Sequence, residues 1–171
     1  VGEAASESQL KRHASNYRHL HLATHGLVDD QFPLGSGVLL AGDRDNDGLL
    51  QVAEVLDLDL RAELVTLSAC RSGRGRLGRG EGIVGLGQAF LYAGASSLVL
   101  SLWDVDDSST PRLMERFYRH LTTGRSPAEA LRDARRELVG ETEERHMVFR
   151  RRPMSLAHPR FWSAFVVTGD G

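Results

Sequence analysis

Thiol chemistry is nearly absent from this chain: its 171 residues include a single cysteine, Cys70. One cysteine excludes an internal disulfide framework, so a packed core must hold the fold. A lone free thiol suits a reducing compartment, and a cytoplasmic setting is expected. Charge of one sign is also lacking: the net charge is −2 with 26% charged residues, which gives no electrostatic case for nucleic acid as a partner. No apolar run approaches the roughly 20 residues a membrane span needs, so no membrane association is expected. Nothing at the start reads as a signal peptide, and no internal repeat is visible. Nothing at Val1 starts a domain either, so the sequence reads as part of a longer chain that has been truncated at its N-terminus. Its length suits one domain, 1–171, with a real core and with residues 1–17 as a leading helix.

What is present centres on Leu64-Val65-Thr66-Leu67-Ser68-Ala69-Cys70-Arg71-Ser72-Gly73. The apolar and β-branched opening reads as a buried strand that delivers Cys70 at its C-terminal end, with turn residues behind it. In open α/β sheets ligands meet the protein beyond the carboxyl ends of strands, so a thiol there is placed for chemistry. A free cysteine is equally at home as a small buried hydrophobe, and a thiol nucleophile needs a base beside it. His19-Leu20-His21-Leu22-Ala23-Thr24-His25-Gly26 repeats the pattern of strand, reactive side chain and glycine, which makes His25 the candidate base. The plain alternative for His25 is a strand-end histidine satisfied by hydrogen bonds. His19 and His21 share a strand face and read as sheet support, and His158 before Pro159 reads as structural. Ser68 lies within the strand rather than on a nucleophile elbow.

The remaining pattern alternates strands and helices. Residues 4–14 lean helical, with Leu10, Ala14 and Tyr17 toward a core. Strands are expected over 18–24, 38–41, 64–70, 97–102 and 161–168. Helices are expected over 51–56, from Ile83 to Ala93, from Pro111 to Leu121, and from the Ser126-Pro127-Ala128-Glu129 capping box to Leu138. Arg71–Gly82 and the polar 140–157, with Arg150-Arg151-Arg152, read as loops. This order implies an α/β fold with a mostly parallel central sheet and helices on both faces. Gly80-Glu81-Gly82-Ile83-Val84-Gly85 mimics a dinucleotide fingerprint, with Asp104 about 20 residues on. The first glycine belongs directly after the strand, however, and Cys70–Arg79 intervenes, so the glycines read as close helix packing instead.

Asp43-Arg44-Asp45-Asn46-Asp47-Gly48, followed five residues later by Glu54, fits the D-x-D-x-D-G-x5-E calcium loop. Asp43, Asp45, Asp47, the Leu49 carbonyl and Glu54 would be the ligands. A solvated Asp-rich turn before a helix is the alternative, and the strand ahead of it leaves no entering EF-hand helix.

Four blocks occur in order: His21-Leu22-Ala23-Thr24-His25-Gly26, Leu67-Ser68-Ala69-Cys70, Ser101-Leu102-Trp103-Asp104-Val105-Asp106-Asp107, and His158-Pro159-Arg160-Phe161-Trp162-Ser163-Ala164-Phe165. Together they resemble the CHAT domain, a caspase-like cysteine protease module related to separase and usually fused to TPR repeats. The resemblance implies a caspase-like three-layer α/β/α sandwich and a Cys70–His25 dyad cleaving a protein substrate. Backbone N–H groups of Gly26 and Cys70 would receive the oxyanion. Asp104, Asp106 and Asp107 are candidates for a pocket taking basic side chains, with helix N-capping as their alternative role. Arg71 departs from the acidic residue that commonly follows the family's cysteine. The chemistry needs no cofactor, and a TPR or other regulatory region outside this chain is the expected partner. A catalytically inactive interaction module, gated by calcium, is the competing reading.

Overall fold

The computed structural model describes residues 2–29, 31–71, 81–140, 142–147 and 150–170, with backbone alone at residues 3, 69–71, 81–83, 142–147 and 150–155. They group into two compact units, Val1–Asp104 with Val167–Asp170, and Val105–Val166 with Gly171.

The first unit opens with a 3-10 turn, Gly2–Ala4, and α1 (Glu7–His13). Ser6 caps α1, its hydroxyl accepting from the Gln9 N–H at 3.4 Å. Glu7 in the first turn and Lys11, Arg12 and His13 in the last complement the helix dipole. Ala14 is buried behind α1, whereas Tyr17, expected toward the core, is 58% exposed. The chain continues through β1 (His19–Leu27), β2 (Gly37–Leu39), β3 (Leu49–Gln51), α2 (Val52–Leu56), β4 (Leu64–Arg71), α3 (Glu81–Tyr92) and β5 (Ser97–Ser101). With β8 (Phe165–Gly169), the strands form a six-stranded sheet in the order β3-β2-β1-β4-β5-β8 among the described residues.

This sheet is mixed, where a mostly parallel one is expected from the sequence. β1 and β5 run parallel to β4, while β1–β2 and β2–β3 are antiparallel. The cause is connection length. Parallel neighbours need a crossover of a dozen or more residues, usually helical, and the links flanking β2 are too short to supply one. β3 also replaces the expected run of loop directly into helix.

One face of the central strands is apolar. Register aligns Leu20 with Val65 and Leu22 with Leu67, then Val65 with Leu98 and Leu67 with Leu100. α3 lies on this face, closely enough that a Cβ at Gly87 would fall 2.6 Å from Leu98 Cδ2. That close approach is the reason for a glycine inside this helix. Leu86, Phe90 and Ala93 are buried, and Gly94 (φ 110°) ends the helix region in a backbone state suited to glycine.

The second unit holds α4 (Thr110–Thr122), α5 (Pro127–Val139), β6 (Thr142–Met147) and β7 (Arg150–Ser155). Leu113, Met114 and Phe117 are the buried stripe of α4, and Ala130, Leu131, Ala134 and Leu138 that of α5. The Ser126–Glu129 capping box forms: Ser126 Oγ accepts from the Glu129 N–H at 3.4 Å, and Glu129 Oε2 from the Ser126 N–H at 3.2 Å. Glu137 on α5 ties the helices together, meeting Arg119 and lying 2.9 Å from His120 Nε2. Residues 140–157, expected to be loop, instead contain the antiparallel β6–β7 ladder, in which Arg145 pairs with Arg152 and His146 with Arg151. Period-2 apolar alternation, the usual mark of a strand, is missing there. The final strand starts later than expected because Pro159–Phe161 forms a 3-10 turn first.

Candidate active site

β1 and β4 bring the two reactive positions level. In their parallel register, His25 is the direct partner of Cys70, as His21 is of Thr66 and Ala23 of Ser68. Both positions lie near the carboxyl ends of their strands, each of which runs slightly past them, to Leu27 and Arg71. Alternation along β1 shows how the sequence achieves this. His19, His21, Ala23 and His25 are exposed, while Leu20, Leu22, Thr24 and Gly26 are half-buried or buried. The leucines are drawn toward the apolar face, which leaves the histidine positions on the face opposite α3. His25 is thus open to solvent and to a ligand.

β2 braces the residues on either side of His25. Gly26 pairs with Val38 and Leu27 with Gly37, and the Thr24 hydroxyl donates to the Leu39 carbonyl. Gly26 also stands opposite Arg71 of β4, so it sits between two strands.

The other histidines and hydroxyls considered from sequence have different settings. His19 Nε2 is 3.9 Å from Glu63 Oε2 at the surface. His158 Nδ1 accepts from the Arg160 N–H at 3.2 Å, capping the 3-10 turn. Ser68 is buried inside β4.

The three aspartates after β5 part company. Asp106 Oδ1 accepts from the Ser108 and Ser109 N–H groups, each at 3.1 Å, and from the Ser108 hydroxyl at 2.5 Å. Its carbonyl accepts from the Thr110 N–H at 2.9 Å. Asp106 therefore builds the turn that leads into α4, whose N-cap is Ser109, rather than capping the helix itself. Asp104 and Asp107 are exposed. The expected Arg71–Gly82 loop lies, over 72–80, outside the described residues.

The acidic stretch is organised by several separate partners rather than around one point. Asp43 takes the Ser8 hydroxyl at 2.8 Å on Oδ1 and the Ser8 N–H at 3.3 Å on Oδ2, and its Oδ1 also accepts from Asp45 and Asn46 N–H groups. The Ser8 hydroxyl and then the Asp45 N–H hold its carboxyl well below the usual carboxylate range. Asp47 Oδ1 accepts from the Leu49 N–H at 2.8 Å. Glu54 closes a capping box on Gln51 at the start of α2, with Oε2 accepting the Gln51 N–H at 2.8 Å. Its Oε1 lies 2.8 Å from the Lys11 ammonium. Burial pushes the Glu54 carboxyl up, but the Gln51 N–H and Lys11 outweigh it and the net shift is down. Among the described residues no three His, Cys, Asp or Glu side chains are grouped to hold a metal. As arranged, Asp43, Asp45, Asp47, Leu49 and Glu54 do not fit a calcium ion: a cationic side chain from α1 already neutralises the twelfth position. Gly48 does adopt the positive φ (88°) that the sharp turn demands, and a Cβ there would fall 2.7 Å from the Gly42 nitrogen.

Sequence reasoning missed Glu7, Ser8 and Lys11. The available signal was the Glu7/Lys11 spacing of four on an amphipathic helix, which marks a pair but not its further partners.

Comparison with known proteins bears on all of this. Two curated relatives match over 122 residues, 71% of this chain: Tetratricopeptide repeat protein 28 of Mus musculus at 30% identity and of Homo sapiens at 29%. The chain spans only about 4% of the length of either relative. No helix among the described residues is long and apolar enough to cross a membrane. The CHAT domain family matches residues 1–170, and with nearly the whole chain so covered, the protein belongs to that family.

Proposed function

We propose that this CHAT domain is a cysteine endopeptidase of caspase-like three-layer architecture, working on a protein substrate through a Cys70–His25 dyad. The observation that carries the reading is the register pairing of His25 with Cys70 on adjacent parallel strands, near the carboxyl ends where α/β sheets meet their ligands. In this reading the Cys70 thiolate attacks the scissile carbonyl carbon. His25 gives a proton to the leaving amine, then takes one from the water that releases the acyl group. The Gly26 and Cys70 positions are where backbone donors to the oxyanion would be drawn from. Asp104, exposed after β5 in the same unit as the strand pair, is the carboxylate to favour a basic residue before the cut, since Asp106 is engaged in the turn before α4. Regulation would come from a repeat region outside this chain, as suits relatives named for tetratricopeptide repeats.

Iodoacetamide alkylation of Cys70 at neutral pH tests the dyad. The reading expects fast alkylation in the wild type and a marked slowing in His25→Ala. Equal rates would turn the assignment toward a catalytically inactive, caspase-like interaction module.

A further inference from the structure

We propose that α1 is a strap whose docking on the acidic loop sets the His25 end of β1, so that lifting it detunes the dyad. The inference rests on the function proposed above for its consequence, and on the following contacts for its mechanics.

The strap begins with a backbone bridge: the Glu7 N–H donates to the Ala41 carbonyl at 3.2 Å and the Ala41 N–H to the Ala5 carbonyl at 3.1 Å. Three side chains of α1 then fasten onto residues 43–54. Glu7, only 1% exposed, accepts the Gly48 N–H at 3.0 Å on Oε2. The Ser8 hydroxyl donates to Asp43 at 2.8 Å and receives the Asn46 amide at 2.6 Å. Lys11 Nζ lies 2.5 Å from Glu7 Oε1 and 2.8 Å from both Asn46 Oδ1 and Glu54 Oε1. The ammonium thus donates to Asn46 and Glu54 and faces Glu7 Oε1 as an ion pair, the one charge set against that buried oxygen.

The loop passes the constraint onward. The Leu40 N–H donates to the Gly48 carbonyl at 2.6 Å, which fixes the end of β2. β2 in turn holds both neighbours of His25, Gly26 through the ladder and Thr24 through the Leu39 carbonyl. β2 is only Gly37–Leu39, too short to hold its place without bracing.

Fastening is all-or-none. If Lys11 leaves, Glu7 becomes a buried, unneutralised carboxylate, so helix and loop separate together rather than one bond at a time. The two states are α1 docked and α1 lifted, and any ligand that binds only the lifted helix shifts the balance. Gln9, Arg12 and His13 form the exposed side such a ligand would first meet.

The experiment compares wild type, Lys11→Met and the milder Asn46→Ala by amide hydrogen exchange and by Cys70 alkylation. The expected result is exchange about tenfold faster at Gly26, Leu27 and Val38 in Lys11→Met, a smaller rise in Asn46→Ala, and slower His25-dependent alkylation in the same order. Faster exchange confined to residues 7–13, with β1 and β2 unchanged, overturns the strap. Should Lys11→Met not fold, Asn46→Ala decides the matter by the same readout. If wild-type alkylation proves independent of His25, the dyad falls while the exchange data still judge the strap.

Discussion

Two stretches of this chain look like chemistry in the sequence, and the fold treats them oppositely. His25 and Cys70 stand far apart along the chain, yet parallel pairing makes them register partners. Asp43, Asp45, Asp47 and Glu54 stand close together in a metal-loop spacing, yet Asp43, Asp47 and Glu54 each take a separate donor. Closeness in sequence is thus a poor guide to convergence. A sheet register aligns remote residues because every backbone bond along the ladder enforces the alignment. A loop gathers neighbouring carboxylates only if something cationic repays their mutual repulsion. Here that cation is Lys11, which reaches Glu54 and leaves Asp43 and Asp47 to backbone and serine donors.

The largest expected effects fall on the strand pair. Cys70→Ala should abolish peptide hydrolysis, and His25→Ala should lower its rate by about 10²–10⁴, the span general acid–base groups usually command. Turnover of a peptide library by each variant measures both. Unchanged turnover in Cys70→Ala would break the comparison at its stronger side. The same library reads the pocket: a preference for acidic or large apolar residues before the cut sinks the role of Asp104.

Next in size is the fastening of the acidic loop. Lys11→Met should destabilise by roughly 1–3 kcal/mol, the range for stranding a buried polar partner, here Glu7. Urea unfolding measures it. A loss within a few tenths of a kcal/mol would mean that Glu7 is satisfied without the ammonium and that the loop holds itself.

How far these features could be read beforehand follows the same division. Local chemistry was readable: the Ser126–Glu129 box and the helices α4 and α5 all depend on residues within a few positions of one another. The reactive strands were readable because leucine alternation in β1 and the apolar run in β4 each signal a strand. Their parallel register was not, since no local pattern sets the offset between two strands. β3 escaped because three residues are too few to show a period. The β6–β7 ladder escaped because its arginines and glutamates carry no apolar face. Asp106 was ambiguous until its bonds to Ser108 and Ser109 showed a turn ahead of α4, and Lys11 was unpredictable because Glu54 lies 43 residues away.

A smaller effect is expected on acidification. The carboxyls of Asp43 and Glu54 are both depressed in the folded protein. A depressed carboxyl contributes stability that is fully present above its unfolded value, near 4, and is lost as pH falls through the folded value. Stability should therefore hold from neutrality to about pH 5 and decline below it. Ser8→Ala, which removes the first cause of the Asp43 shift, should flatten that decline. A decline of equal steepness in the variant would assign the acid sensitivity elsewhere, to Glu137, whose carboxyl is also depressed, burial being outweighed by Arg119 and His120, or to Asp133, depressed by Arg132.

The smallest expected effect is none. A ligand that binds the folded state alone stabilises it by RT ln(1 + [L]/Kd), about 2.7 kcal/mol at a hundredfold excess over Kd. A calcium loop of ordinary affinity would therefore raise the melting temperature visibly at millimolar ion. In this chain calcium would have to displace Lys11 from Glu54 and strip Ser8 from Asp43 before gaining its first two carboxylates. It would leave Glu7 buried without its ammonium. The wild-type melt should accordingly not move between chelator and millimolar calcium. A clear rise would show that the ion outcompetes the ammonium, that the acidic loop does converge, and that the contrast with the strand pair is one of occupancy rather than of architecture.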